Sequence, residues 1–499
     1  MTAKDDFRQR TLSGLGWSMI GQAGRQTLAL VLGMVLARLL SPAEFGLIGM
    51  VLVFSGLAAL FSEFGFGGAI IQRSRLREEH LYSVFWSNLT LGILLCLAFV
   101  LAAPAVAAFY AEPSLIKIAR WLSPAFVIDS FATIPRSLLI RRLDFRRLTR
   151  VEIGAAAGSG VAAIACALSG LGVWSLVVQL LTFSLINSTL LWIVEPWRPR
   201  ARFQWRAVRE LIGFGASLLG SRSLNYWRRN IDSLLVGRLL GIEALGFYNL
   251  GYRIMLIPVW NVTQVLYRVL FSSFSQIQEQ HDRIRRLFLR TLGAGALATF
   301  PMMIGLLMTA RPFVLTILGP KWEPMTPVLR ILAVASLAEV LYPLTGNLFL
   351  SQGRADLQFK VGLFTRFATT IGIVAGLPWG IQGVAAGFTL ASILSLIPAY
   401  RFSARLVNLP IRQIVGELMP IGACTAGMAA AVTAVSWWIP ELWPAWTRLV
   451  IDVGVGVSTY SLLIQLFRPR AYTDSLLLLD EWLRGQWQLR VPVETETLE

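Results

Sequence analysis

The chain has 499 residues, 55% of them apolar and only 15% charged, with a formal net charge of +17. A set of soluble domains would be nearer a quarter charged, and apolar runs recur here from end to end, so the composition selects an all-α polytopic membrane protein. The basic residues crowd into short loops beside apolar runs, which assigns them to topology and anionic lipid heads and excludes nucleic acid as a partner.

Residues 1–10 are polar, with Lys4, Arg8 and Arg10. The first apolar run is too long for a signal-peptide core, contains Arg25 and lacks a small-residue cleavage site, so the N-terminus is expected to stay cytoplasmic. Spans read at roughly 12–40, 44–71, 80–103, 115–140, 150–170 and 173–194. A second set reads at roughly 207–240, 244–271, 286–311, 326–350, 359–378 and 382–403, and two more at 413–438 and 447–467. That makes about fourteen transmembrane helices, each long enough for a ~30 Å hydrocarbon core.

The loops check this count. Arginines fill alternate loops: Arg73, Arg75 and Arg77; Arg141 to Arg150; Arg198 to Arg209; Arg283 to Arg290. The intervening loops 41–43, 104–114, 170–172, 240–243, 378–381 and 439–446 hold no Lys or Arg. This alternation follows the positive-inside rule and places both termini in the cytoplasm. No loop is long enough for a folded domain. Tyr472 to Trp487, behind a Thr473/Asp474 cap, reads as an interfacial helix, and Val491 to Glu499 as an acidic disordered tail.

An internal repeat organises the chain. Ala37-Arg38-Leu39-Leu40 through Phe45-Gly46 is echoed by Gly237-Arg238-Leu239-Leu240 through Leu245-Gly246. Arg120-Trp121-Leu122 through Asp129 to Pro135 is echoed by Arg330-Ile331-Leu332 through Glu339 to Pro343. Two six-helix lobes with a two-helix appendix follow: helices 1–6 in 1–197, helices 7–12 in 198–404, helices 13–14 in 405–467, and a cytoplasmic piece at 468–499. An even number of spans per repeat makes the halves parallel. Arg38 and Arg238, each ending a helix, read as outer-interface anchors.

No phosphate loop, Gly-x-Ser-x-Gly or His-Glu-x-x-His motif occurs, so no enzyme chemistry is expected. Cys96, Cys166 and Cys424 lie far apart in apolar runs, and His80 and His281 read as isolated loop residues, so no metal or cofactor is expected. The informative residues are charges inside spans, costing about 3 kcal/mol each. Arg25 could bind a phosphate or pair with an acid such as Glu63. On the seventh span Arg222 and Arg229 share a face, and Arg228 and Asp232, four apart, could pair; the stripe either lines a cavity or is locally neutralised. Arg253 could face the outer half of the same cavity, and Arg366 is a weaker candidate. Asp129 and Arg136 lie seven apart and share a face, and Glu339 is the repeat's counterpart of Asp129. These acids serve either coupling or counter-charge roles. Six prolines within spans, among them Pro135 and Pro343, suggest bent helices.

Thr11-Leu12-Ser13-Gly14-Leu15-Gly16-Trp17-Ser18, the Arg38 turn with Glu44-Phe45-Gly46, and Phe64-Gly65-Phe66-Gly67-Gly68-Ala69-Ile70-Ile71-Gln72-Arg73 carry a family resemblance. So do Phe247-Tyr248-Asn249-Leu250-Gly251-Tyr252 and Phe271-Ser272-Ser273-Phe274-Ser275-Gln276-Ile277-Gln278. Together they resemble the polysaccharide transporter, or lipid-linked oligosaccharide flippase, family of the multidrug/oligosaccharidyl-lipid/polysaccharide exporter superfamily. The likeness is nearest to its colanic- and teichuronic-acid-type exporters. The resemblance implies a bacterial inner-membrane flippase for undecaprenyl-pyrophosphate-linked repeat units, used in exopolysaccharide, O-antigen or capsule assembly. It implies two lobes in a V around a cationic cavity, with alternating access. Arg25 and Arg253 match cavity arginines of related flippases by helix and depth. The implied partners are the lipid-linked glycan, membrane lipids, and polysaccharide polymerase and chain-length regulator proteins. Two rivals stand beside it: a cation-coupled drug exporter of the same superfamily, which would favour acids in its cavity, and a membrane polysaccharide polymerase, which would carry a large outer loop.

Overall fold

A computed structural model describes residues 21–22, 24–63, 65–73, 75–276, 280–440 and 442–483. The polar N-terminal stretch and the acidic tail lie outside these. Among the described residues the fold is helical throughout, without strands, as the hydropathy pattern predicts. Helix α1 covers 24–39. It is followed by α2 (Pro42–Glu63), α3 (Phe66–Gln72), α4 (Glu78–Tyr110), α5 (Leu115–Leu122), α6 (Pro124–Arg141), α7 (Phe145–Leu168) and α8 (Val173–Val194). Then come α9 (Trp205–Leu240), α10 (Ile242–Gln276), α11 (His281–Phe313), α12 (Thr326–Ser351), α13 (Ala355–Gly376) and α14 (Gly380–Leu406). The last are α15 (Ile411–Trp438), α16 (Ala445–Phe467) and α17 (Arg470–Leu483).

Among the described residues, nine stretches are long and apolar enough to cross a membrane. Helices α1, α6, α9 and α10, which the expected fourteen spans include, are not among the nine. They are the helices that carry Arg25, Asp129 and Arg136, the Arg222–Asp232 stripe and Arg253. Asp129, Arg136 and Arg141 lower the hydropathy of α6, and Arg222, Arg228, Arg229 and Asp232 that of α9. One of the nine, Ala355–Leu406, is divided by a short turn at Leu377–Trp379 and by Gly380, whose φ of 66° suits a residue without Cβ.

The chain packs as two units. The first comprises Met1–Ile257, Phe313–Leu332 and Thr369–Phe388. It contains both copies of the repeated turn. Gly46 lies so close to the Ile242 carbonyl that an added Cβ would sit 1.9 Å from its oxygen, and Gly246 lies against the Pro42 carbonyl at 2.0 Å. The two copies of the repeat therefore meet reciprocally, each presenting its glycine to the other's first helical turn. In the first copy Ser41 and Glu44 form a reciprocal cap: Ser41 N–H donates to Glu44 at 2.6 Å and Glu44 N–H to Ser41 Oγ at 3.4 Å. Trp322 seals the pair, donating its indole N–H to the Ala37 carbonyl at 2.7 Å and meeting Phe45 and Phe247 edge-on. Arg38 donates to the Thr316 carbonyl, and Arg238 lies over the Phe109 ring.

Several loop arginines hold helix ends and buried acids. Arg141 caps the C-terminal end of α3 by donating to the Ile70 carbonyl at 2.8 Å. Arg142 forms an ion pair with the fully buried Glu195 at 3.0 Å. Arg73 and Arg77 pair with Glu210 at the start of α9. His80 is no isolated loop residue. It is buried in the first turn of α4, where its Nδ1 accepts the Arg77 N–H and its Nε2 faces Glu210 at 3.3 Å. The apolar stretch after Glu78 extends the helix back over it, and helix N-terminal geometry then turns the ring inward.

The second unit comprises Pro258–Pro312, Ala333–Ala368 and Thr389–Glu499. Its core joins Phe288 and Leu292 of α11 to Leu344 and Leu348 of α12 and Tyr400 of α14. Tyr460 of α16 donates to the Leu297 carbonyl at 2.9 Å. Helix α17 starts at Arg470, three residues before the expected Thr473/Asp474 cap. The Pro469 carbonyl accepts the Tyr472 and Thr473 N–H groups at the start of the helix, Ala471 packs against Ala296 and Ile421, and Asp474 instead pairs with Arg290 at 2.9 Å.

Candidate functional site

The site grows out of α7. Its sequence Glu152-Ile153-Gly154-Ala155-Ala156-Ala157-Gly158-Ser159-Gly160 presents small residues on two sides. Gly154 and Gly158 receive Leu190 and Ile186 of α8, and Gly160 receives Leu32 of α1. In lipid, where apolar side chains gain nothing by leaving their surroundings, such close packing is what holds helices together. The α1 side reciprocates: Gly21 lies against Thr149 and Gly24 against Ile153. This approach brings Arg25 to Glu152.

Arg25 Nη1 donates to Glu152 Oε2 at 2.5 Å, and Arg136 Nη2 of α6 donates to Glu152 Oε1 at 3.0 Å. Gln22 accepts a further bond from Arg25. One carboxylate thus holds two guanidinium groups from two other helices. The Glu152 side chain is 14% exposed, against 37% for Arg25 and 36% for Arg136. The acid is enclosed while both arginines keep an open side. The trio carries one net positive charge.

Arg136 also lines a cavity of roughly 390 Å³ between α2, α5, α6 and α8. Asp129, Thr133 and Arg136 contribute from one face of α6, and Ser184 and Asn187 from α8. The shared face expected for Asp129 and Arg136 is present, since both line this space.

The other candidates lie elsewhere. Asp232 is buried on α9 and accepts the Tyr248 hydroxyl at 3.2 Å and the Ser233 N–H at 2.8 Å. Glu339 accepts the Ser392 hydroxyl at 3.1 Å. Arg222, Arg253 and Arg366 are exposed on α9, α10 and α13. The side chains of Glu63, Arg228 and Arg229 lie outside the described residues.

Residues 35–327 match the family model described as "Polysaccharide biosynthesis protein". The chain belongs to this family. Among its relatives, the lipopolysaccharide biosynthesis protein WzxC of Escherichia coli is 31% identical over 79% of this chain and 81% of its own length. The teichuronic acid biosynthesis protein TuaB of Bacillus subtilis is 30% identical over 94% of this chain and 98% of its own. The succinoglycan biosynthesis transport protein ExoT of Rhizobium meliloti is 29% identical over 64% of this chain and 65% of its own. In solved structures the fold is similar to the lipid II flippase MurJ in an inward closed conformation, with a TM-score of 0.73, 15% identity, and 92% of this chain and 99% of that one covered. It is also similar to an inward-facing MATE-family multidrug transporter, with a TM-score of 0.60, 15% identity, and 77% and 94% covered. The family is one of polysaccharide biosynthesis proteins, and this chain shares its fold with both solved neighbours.

For this family member, hydropathy found Arg25 and Arg136 but missed Glu152. The expected span began at 150, which put Glu152 at a membrane edge where an acid attracts no notice. Helix α7 begins earlier, at Phe145. The available signal was the pair Gly21 and Gly24, placed to let α1 approach a helix close enough for Arg25 to reach an acid on it.

Proposed function

We propose that the chain is a flippase for undecaprenyl-pyrophosphate-linked oligosaccharide repeat units, working by alternating access in polysaccharide biosynthesis. The observation that carries this reading is the pair of arginines drawn onto one carboxylate at 2.5 and 3.0 Å inside a helical membrane fold. Two guanidinium forks from α1 and α6 offer bidentate donors to a diphosphate, and Glu152 is the internal anion that a diphosphate displaces. A cation exporter would need the opposite balance. The chain is no enzyme in this reading. It sits in the bacterial inner membrane with both termini cytoplasmic. Helices within 1–197 and 198–404 form the two moving lobes, and 405–467 is an appendix beside the second.

The test is export in cells. Arg25→Ala and Arg136→Ala should each insert normally, stop polymer export and leave the lipid-linked unit in the cytoplasmic leaflet. Losing one partner of an enclosed charged contact costs binding about 2–5 kcal/mol. Normal export by either variant would sink the assignment of that arginine.

A further inference from the structure

We infer that the cavity between α2, α5, α6 and α8 is a sugar subsite, taking the one or two pyranose residues next to the diphosphate. This rests on the flippase reading and adds where the glycan is read.

The volume, roughly 390 Å³, is at the small end of the ~300–1,000 Å³ that ligand pockets span, enough for one or two sugar rings. The lining suits a sugar. Asp129, Thr133 and Arg136 recur at steps of four and three along α6, and Ser184 and Asn187 three apart on α8, so each helix turns one polar face into the space. A carboxylate accepts hydroxyl protons, an amide both donates and accepts, and Phe126 and Phe183 supply apolar surface for the C–H faces of a ring. A lipid tail would leave the Asn187 Oδ1 and the Arg136 Nε unpaired.

Asn187 points to a ligand independently. It is 4% exposed, it lines the cavity, and its Oδ1 has no hydrogen-bond partner among the described residues. A buried amide oxygen left in this state is costly, and a sugar hydroxyl would satisfy it. Arg136 joins the two subsites. Its Nη2 holds Glu152, its side chain lines the cavity, and its buried Nε is also unpartnered. A diphosphate on Arg25 and Arg136 would therefore place the first sugar at the cavity.

The test measures binding to the purified full chain in nanodiscs, corrected with empty nanodiscs. The probes are farnesyl diphosphate and its conjugates with glucose, galactose and N-acetylglucosamine. At least one conjugate should bind about tenfold more tightly than the bare diphosphate, the gain expected from one or two buried hydrogen bonds. Asn187→Leu should abolish that gain and Ser184→Ala should reduce it about threefold. Both should leave the affinity for farnesyl diphosphate within twofold, which also shows that they fold. If no conjugate gains, or if the gain survives both variants, the sugar subsite is overturned while the diphosphate reading stands. If farnesyl diphosphate itself does not bind the wild-type chain, the flippase reading falls and takes the subsite with it.

Discussion

The segments around Asp129 and Glu339 are written on one plan, and the protein uses them differently. In the first copy Ser123-Pro124 interrupts the helix, so α5 ends at Leu122 and α6 begins at Pro124. The second copy has Ala333-Val334 at the matching positions, and α12 runs unbroken from Thr326 to Ser351. Asp129 lines a cavity that it shares with Arg136. Glu339 accepts a hydroxyl from Ser392, with Ala338 and Val340 buried on either side. Arg136 itself has no counterpart: the same offset of 210 residues reaches Gly346. The two segments share a sequence frame, and the cation is present in one of them. A substrate with a single diphosphate needs only one such site, so the asymmetry fits a carrier whose two halves move alike but do not bind alike.

The largest effect should come from breaking what the copies share. Gly246→Val would force a branched side chain into the Pro42 carbonyl, where even a single Cβ would stand 2.0 Å from the oxygen. The obstacle is backbone in a helical turn and cannot rotate away. Overpacking of this kind costs about 3 kcal/mol or more. The expected outcome is a large fall in thermal stability in detergent, and Gly46→Val should match it because the contact is reciprocal. A large loss for one glycine and none for the other would show that the two turns do not support each other equally.

Next in size is the part the copies do not share. Glu152→Gln keeps the shape of the side chain and removes the charge that competes for Arg25 and Arg136. Binding of farnesyl diphosphate should tighten about threefold, because a ligand anion no longer has to displace an internal one. Stability should fall only slightly, by about 1 kcal/mol or less, since both arginines are more than a third exposed and solvent screens them. Weaker binding in this variant would mean that Glu152 positions the arginines for the ligand instead of competing with it.

How much of this was legible follows from what each signal depends on. Hydropathy is a local property, and it identified the helical fold and the membrane class. The repeated turn was visible as Arg-Leu-Leu and a closing glycine, but its meaning was not. That Gly46 and Gly246 press on each other's helix starts depends on two segments some 200 residues apart meeting in space. Arg25 and Arg136 stood out because charge is expensive inside a span. Their shared partner did not, because Glu152 lies near the end of its span and its importance comes from the glycine seam of α1 and α7. His80 was misplaced for the same reason: a histidine among charged loop residues reads as exposed until its helix is seen to begin at Glu78. The cavity was out of reach altogether, since it is made of single faces of four helices.

The smallest expected effect is the most discriminating. If the second copy supplies frame alone, Glu339→Gln should leave export within about twofold of wild type, because an amide can still accept the Ser392 hydroxyl and the loss of one neutral-donor bond to an acceptor is modest. Asp129→Asn, the same chemical change at the matching position of the first copy, should reduce export several-fold more, because Asp129 faces the cavity that Arg136 also lines. Running the two together removes the general cost of neutralising an acid within a membrane helix, which both variants share. Equal losses would return the two copies to equivalence and give Glu339 a place in coupling. A loss confined to Asp129 would tie function to the face of α6 and leave α12 as the scaffold that its burial suggests.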